Sequence, residues 1–316
     1  MRIRAGLVFS LGFFLCGNIS AQDAGSGSTT SIDFEAVRLT KVATAVRIHE
    51  PIVVNGRLDE AVWQRAEPVS EFYQWEPYNG TLASERTDVR FLYDDDNLYV
   101  AFECFDSKIG ELVVTELRED FSGNESDGVL LLLDTLHDRS SAFGFGTNPA
   151  GAKRDLQLAN DGGQLNFDWD GVWDVKVSRH DNGWTAEYII PFKTLRFTAE
   201  SSQEWGLNML RRVRRLNEES HWSPVPRRGR ARISFAGTLR GLEGIRQGRN
   251  LKVKPYFTGS IGDARSSASG PVIRDYNSDG GVDLKYSLTQ SLTLDATYHT
   301  DFSQVGGAVF LLTAPS

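Results

Sequence analysis

Between about residue 46 and residue 240, hydrophobic and polar positions alternate in short runs with the period of two that β-strands show. Turn sequences such as Asp94-Asp95-Asp96-Asn97 and Asp181-Asn182-Gly183 separate the runs. Helical periodicity is sparse and predicts one short helix over 60–66, with Asp59 as its cap. Strands are predicted at 89–93, 98–105, 129–133, 175–180, 184–190 and 234–239.

This pattern predicts an all-β chain in which residues 46–240 form a β-sandwich, with a barrel as the alternative. The run Val129–Leu133 is apolar throughout, as expected for a strand that is covered on both faces. Trp63 is expected to hold the short helix against a sheet.

The N-terminus has the parts of a secretory signal. Arg2 and Arg4 precede the apolar run Leu7–Cys16, and Ala21 offers a small residue before a cut at Gln22. The run is shorter than the roughly 20 residues that span a bilayer. We predict a signal peptide over residues 1–21 and a flexible leader over 22–45, with a retained anchor as the alternative.

After about residue 245 the pattern changes. It predicts a strand over 251–258, a loop rich in Gly, Ser and Asp over 259–281, and a hairpin whose strands cover 282–288 and 292–299. One face of the hairpin is apolar and the other polar, which is typical of outer-membrane strands and equally of a soluble hairpin. Because a membrane barrel needs about eight strands or more, residues 241–316 are predicted to be the incomplete start of a barrel, in a truncated or frameshifted chain.

Charge and cysteine content narrow the function. The 316 residues contain 34 Lys+Arg and 42 Asp+Glu, a net charge of -8, which argues against nucleic-acid binding. Two cysteines exclude a disulfide scaffold, and Cys104 is predicted to be a buried, inert thiol. The basic runs 211–215 and 226–232 are interpreted as a solvated face paired with Glu218 and Glu219, with contact to anionic lipid as the alternative.

Four stretches in order resemble family 9 carbohydrate-binding modules. They are 54–66 (VNGRLDEAVWQRA), 89–102 (VRFLYDDDNLYVAF), 126–134 (SDGVLLLLD), and 183–192 (GWTAEYIIPF) followed by 205–212 (WGLNMLRR). The resemblance covers about residues 46–240. It implies a β-sandwich that binds a glycan or oligosaccharide without catalysis, in a family often attached to enzymes of polysaccharide catabolism.

Further stretches are similar to large envelope proteins of Gram-negative bacteria, in which such a module precedes an outer-membrane β-barrel. They are 86–90, 134–138, 147–152, 212–222 and 295–305. This resemblance implies export to the periplasm or outer membrane. It also leaves a second function open, that of a structural or gating ectodomain of a barrel transporter without sugar binding.

Sugar recognition needs aromatic faces beside planar polar groups, and two stretches supply them. The candidates are Trp75, Glu76 and Asn79 in one stretch, and Trp169 and Trp173 in the other. The resemblance implies that two tryptophans clamp a terminal sugar, which here would be Trp75 with Trp169 or Trp173. The alternative is that Trp173 and Trp184 are core residues at strand ends.

Acidic residues raise two further hypotheses. The resemblance implies structural calcium, for which the oxygen donors would be Asp94, Asp96, Asp168 and Asp170, although their spacing is not that of an EF-hand. An O-glycosyl hydrolase would need two facing carboxylates. The carboxylates at 116, 119, 120 and 125 are instead interpreted as solvated loop charges and Asp127 as a turn residue, so we predict no catalysis.

Overall fold

A computed structural model of the chain describes residues 32–246, 251–265, 272–289, 292–298 and 309–313. The predicted signal peptide lies outside these residues. The described chain has 18 strands, a single α-helix (α1, Phe34–Thr40) and several short 3-10 turns. None of the helices in the described ranges has the length and apolar character needed to cross a membrane.

The strands, numbered along the chain, have the following bounds. They are β1 (Val42–Thr44), β2 (Val46–Arg47), β3 (Tyr73–Glu76), β4 (Thr87–Tyr93), β5 (Asn97–Phe105), β6 (Gly128–Asp134), β7 (Ala142–Thr147), β8 (Lys153–Ala159), β9 (Gln164–Asn166), β10 (Asp174–His180), β11 (Gly183–Pro191), β12 (Ser202–Val213), β13 (Glu218–His221), β14 (Gly237–Glu243), β15 (Leu251–Arg265), β16 (Val272–Thr289), β17 (Leu292–Tyr298) and β18 (Val309–Thr313).

Two sheets form a sandwich. The large sheet has the order β1-β14-β12-β6-β7-β8-β9, and β13 joins β12 to β3; the small sheet has the order β10-β11-β5-β4-β2. One apolar core contains side chains from both, including Phe145 and Trp205 of the large sheet and Phe102 and Tyr188 of the small one. The predicted β-sandwich is therefore confirmed, and the barrel alternative for these residues is wrong.

Local patterns account for much of this fold. Asp94 closes the β4–β5 hairpin, because its Oδ1 accepts the backbone N–H groups of Asp96 and Asn97. Strand β6 is covered on both faces as predicted, with Leu131 in the core between the sheets and Leu132 in a second cluster on the outer face of the large sheet. The thiol of Cys104 is buried, also as predicted.

Two local predictions are wrong. Residues 60–66 do not form a capped α-helix: a 3-10 turn covers Ala61–Arg65, and Trp63 is fully buried beneath it as expected. The strand predicted over 234–239 begins only at Gly237. The residues before it turn, because Asp161 accepts hydrogen bonds from the backbone N–H and the hydroxyl of Ser234.

The ends of the sandwich also differ from expectation. Helix α1 and strand β1 lie inside the predicted flexible leader, and β1 is held by parallel pairing with β14 while Ala43 is buried. The predicted loop over 259–281 is wrong where the structure describes it, because β15 and β16 continue as one paired ladder through these residues. Strands β15 to β18 form a separate antiparallel sheet. That this sheet begins an outer-membrane barrel stays a prediction.

Candidate functional site

The large sheet has a cleft of about 390 Å³ where strands β7, β8 and β9 lie side by side. Phe143 pairs with Gln157, and Gln157 pairs with Asn166, so one side chain from each strand forms a row on the same face. All three residues of β9 are exposed. The row is therefore open to solvent at the edge of the sandwich.

Amide side chains supply the polar surface of this cleft. Gln157, Gln164 and Asn166 all line it. The Gln157 and Gln164 side chains have no hydrogen-bond partner among the described residues, and Asn166 accepts only the backbone N–H of Asp168 through its Oδ1. Each amide offers both donors and an acceptor. The cleft thus presents several hydrogen-bonding groups that the fold does not use.

Aromatic rings lie beside the amides. The ring of Trp169 packs against Phe143, with ring centroids 5.1 Å apart, and against Phe145 at 5.8 Å. Trp169 is partly exposed. Gly171 makes this packing close, because a Cβ at that position would lie 2.7 Å from the indole. Phe143 lines the cleft next to the amide row, and the ring of Trp169 packs against Phe143 without itself lining the cleft.

Asp155 fastens the loop that carries Trp169. Its Oδ2 accepts the backbone N–H of Gly171 at 2.6 Å and the indole N–H of Trp173 at 3.2 Å. Burial raises the pKa of the Asp155 carboxyl, and these two hydrogen bonds oppose the rise. Asp155 lies two residues before Gln157 on the same face of β8, so it positions the loop above the cleft without lining it.

Trp173 is a core residue. Its ring is 6% exposed and stacks on Tyr188, with centroids 5.6 Å apart and an interplanar angle of 10°. Trp184 is also buried. The alternative that these two tryptophans belong to the core is confirmed, and Trp173 has no free face for a sugar.

The residues of the other predicted stretch, Trp75, Glu76 and Asn79, lie close together, but their side chains contact residues 225–227 of the same chain. The indole N–H of Trp75 donates to the carbonyl of Pro226 at 3.4 Å, and the Asn79 amide donates to the carbonyl of Val225 at 3.1 Å. The carboxylate of Glu76 is 3.5 Å from the guanidinium of Arg227. These groups hold residues 225–227 against strand β3.

Trp75 and Trp169 are not brought together. Trp75 lies 6.4 Å from His221, whose pairing partner Leu210 belongs to the cluster on the outer face of the large sheet. Trp169 packs on the opposite face, against β7. Four steps between strands of about 4.8 Å each separate β3 from β7, so the two rings cannot clamp one sugar in this structure.

Two of the candidate calcium donors interact with other groups of the protein. Asp94 uses Oδ1 in its turn, and its Oδ2 accepts the Tyr99 hydroxyl at 2.8 Å. Asp170 is 3.4 Å from the ammonium group of Lys254. Among the described residues, no three His, Cys, Asp or Glu side chains are grouped so that they could hold a metal ion. Asp127 is structural as predicted, since its two oxygens accept the backbone N–H groups of Val113 and Arg214.

Comparison with known proteins gives two family matches and several structures with a similar fold. Residues 249–308 match a domain of unknown function (DUF5916), and a comparison with curated proteins gives no match. A candidate carbohydrate-binding protein from Bacteroides uniformis shares the fold, with 13% identity and a TM-score of 0.52 over 63% of this chain and 98% of that one.

Two structures of a family 9 carbohydrate-binding module from Caldicellulosiruptor kristjanssonii, one with cellotriose and one with glucose, have 16% identity and a TM-score of 0.46. They cover 63% of this chain, and 93% and 95% of their own. Residues 54–214 match the family described as carbohydrate family 9 binding domain-like. Because this match spans just over half of the chain, the protein belongs to that family.

Proposed function

We propose that the sandwich binds carbohydrate in the cleft at β7, β8 and β9. The observation that carries the proposal is the row of unused amides, Gln157, Gln164 and Asn166, beside the ring of Phe143, which Trp169 supports. A pyranose ring has an apolar C–H face that packs on an aromatic ring. Its hydroxyl groups pair with planar groups that both donate and accept hydrogen bonds.

Size and charge restrict the ligand. A volume of about 390 Å³ falls within the range of small-molecule pockets, about 300–1,000 Å³, and suits the end of a glycan rather than a long segment. Among the described lining residues, Arg196 carries the one formal charge. Because all the other polar lining groups are uncharged amides and hydroxyls, the proposed ligand is a neutral sugar, with the glycan extending past the exposed strand β9.

Family membership supports binding without catalysis, because the matching family is one of carbohydrate-binding domains. We further propose that the domain works in polysaccharide catabolism at the cell envelope. This second step rests on the export signal and on the resemblance to envelope proteins. Fractionation of cells that produce the chain tests it, and retention of the protein in the cytoplasm would contradict it.

Calorimetric titration of the purified chain with neutral mono- and oligosaccharides tests the binding site. Trp169→Ala and Gln157→Ala should each weaken the affinity for a bound sugar by about tenfold or more, because the first removes the ring that supports Phe143 and the second removes an amide of the cleft. Trp75→Ala is the matched tryptophan control and should leave the affinity unchanged. Two results would contradict the proposal: no binding to any sugar tested, or an affinity in both the Trp169 and Gln157 variants that equals that of the unaltered chain.

A further inference from the structure

A second pocket, on the outer face of the large sheet, is lined by four arginines. Arg154 of β8, Arg212 of β12 and Arg230 converge on a space of about 50 Å³. This is more than one water molecule requires and is suited to a small polyatomic group. The pocket shares no lining residue with the cleft proposed for neutral sugar.

Two glycines make the floor of this pocket. Arg154 pairs with Gly146 of β7, and Arg212 pairs with Gly128 of β6. Because neither glycine has a side chain, the backbone of the sheet is uncovered between the two arginines. Buried Phe121 and Gly123 form the wall, and a Cβ on Gly123 would collide with the guanidinium of Arg154. The three glycines therefore leave a small space beside the guanidinium groups.

The charges around the space do not balance. Arg230 binds both carboxylate oxygens of Glu219 at 2.6 Å, and Arg212 binds the same carboxylate. Arg154 has no carboxylate within 4.0 Å among the described residues, and it donates to the backbone carbonyl of Ser122. Arg211 also borders the pocket, but its guanidinium binds carbonyls of the small sheet. Glu219 thus pairs with Arg212 and Arg230, while Arg154 has only the more distant carboxylates of Asp120 and Glu116 near it.

The electrostatics of Arg154 agree with this imbalance. Burial lowers the pKa of its guanidinium, the positive charges of Arg230 and Arg212 lower it further, and the carboxylates of Asp120 and Glu116 oppose this only in part. An oxyanion in the pocket would accept two parallel hydrogen bonds from Arg154 and would remove the repulsion among the three cations. The hydroxyl groups of a neutral sugar could accept such hydrogen bonds, but they would not remove the repulsion.

We propose that this pocket binds an oxyanion, either as a free ion or as the acidic group of a larger ligand such as a uronic acid, with Arg154 as its principal donor. This site is independent of the proposed sugar cleft, since the two share no lining residue. It also accounts for part of the basic run 226–232, which the sequence alone assigns to a solvated face.

Titration of the chain at low ionic strength with inorganic phosphate and with glucuronate tests the proposal. Arg154→Met should weaken the binding of whichever anion binds by about tenfold or more, and Arg154→Lys should weaken it less, because lysine keeps the charge but loses the paired donors. Arg57→Met removes the same charge from an exposed position in the sandwich and should leave the affinity unchanged.

The two anions distinguish the source of the bound group. Binding of phosphate alone supports a free or phosphoryl ion, and binding of glucuronate supports an acidic sugar. Binding of neither anion, or equal loss in Arg57→Met and Arg154→Met, would overturn the proposal. Titration with neutral sugar should be unaffected by Arg154→Met, which separates this result from any failure of the sugar cleft.

Modification of the unaltered chain with phenylglyoxal gives a second test that does not depend on a variant folding. Phosphate should protect Arg154 from modification, as mapped by peptide mass spectrometry, while Arg57 is modified equally with and without phosphate. Equal modification of Arg154 in both conditions would also overturn the proposal.

Discussion

The indole N–H of Trp173 donates a hydrogen bond to the carboxylate of Asp155, 3.2 Å away in the core of the sandwich. The same carboxylate oxygen accepts the backbone N–H of Gly171. The Asp155 side chain therefore holds both Trp173, at the buried end of the 167–173 loop, and Gly171, beside Trp169. This links the stability of the core to the geometry of the proposed sugar cleft.

Asp155→Ala should lower the free energy of unfolding by about 1–3 kcal/mol, because it leaves two buried donors without an acceptor. It should also weaken sugar binding, since the loop that carries Trp169 is released. Asp155→Asn keeps one acceptor oxygen and should retain most of both properties. Urea denaturation and sugar titration measure the two effects, and wild-type stability in Asp155→Ala would show that the carboxylate does not hold the loop.

Gly171→Ala should weaken sugar binding severalfold while the sandwich stays folded. The added Cβ would meet the Trp169 ring at 2.7 Å, so the indole must shift. Gly110→Ala is the matched control, because a Cβ there has no neighbour within 4 Å. Calorimetric titration compares the two variants. Equal sugar affinity in both would mean that the position of the Trp169 ring does not matter for binding.

Arg211→Met should be strongly destabilising, by about 3–5 kcal/mol. The side chain is 2% exposed, it donates to the carbonyls of Arg86 and Phe105, and it lies 3.9 Å from the carboxylate of Asp106. Its removal would take a donor from the Phe105 and Arg86 carbonyls and a positive charge from beside buried Asp106. Arg228→Met, at an exposed position, should change the free energy of unfolding by less than about 0.5 kcal/mol. A similar small effect in both variants would contradict this prediction.

Glu219 should make the stability depend on pH in acid. Burial acts to raise the pKa of its carboxyl, but the hydrogen bond and charge of His221 and those of Arg230 together lower it to about 2. Since the ordinary value is 4.5, this carboxylate contributes stability on the order of 3 kcal/mol above about pH 4.5. The contribution is lost as the pH falls from there through about 2.

The fall in stability between these pH values should therefore be shallower in Glu219→Gln than in the unaltered chain. Glu204→Gln, an exposed acid in β12, serves as the control and should keep the original slope. Urea denaturation at a series of pH values measures the free energy of unfolding in each. Parallel curves for Glu219→Gln and the unaltered chain would contradict the low pKa.

Cys104 should be unreactive in the folded chain. Burial raises the pKa of its thiol to about 12, so very little thiolate is present at neutral pH. In a Cys16→Ser variant, which leaves Cys104 as the one thiol, Ellman's reagent should react only after urea is added. Rapid reaction without urea would show that the sandwich opens at this strand.

Structural features that depend on residues adjacent in the sequence can be predicted from the sequence. The β4–β5 hairpin follows from Asp94 and the residues beside it, and the buried strand β6 follows from its own apolar run. The row Phe143–Gln157–Asn166 depends on the register of three strands, which alternation alone does not determine. From alternation alone, Gln157, which lies between Leu156 and Leu158 in the sequence, would be expected only to face solvent.

Prediction fails for the two tryptophans for the same reason. Alternation gives the period of a strand, but it does not say which sheet the strand joins or which face becomes the core. Trp75 and Trp169 lie on opposite faces of one sheet because of the strand order, which is set by contacts far apart in sequence. In the predicted loop over 259–281, pairing between β15 and β16 outweighs the weak strand preference of Gly, Ser and Asp.

Strand β1 pairs in parallel with β14, where Thr44 lies opposite Arg240, 196 positions later in the chain. The first strand of the sandwich can therefore take its place only when the last one has been synthesised. A chain that ends before β14 would leave β1 without a partner and would leave one side of β12 with unpaired N–H and C=O groups. Such an open edge can recruit strands from other chains, so premature termination in this region should yield aggregates rather than a smaller working domain.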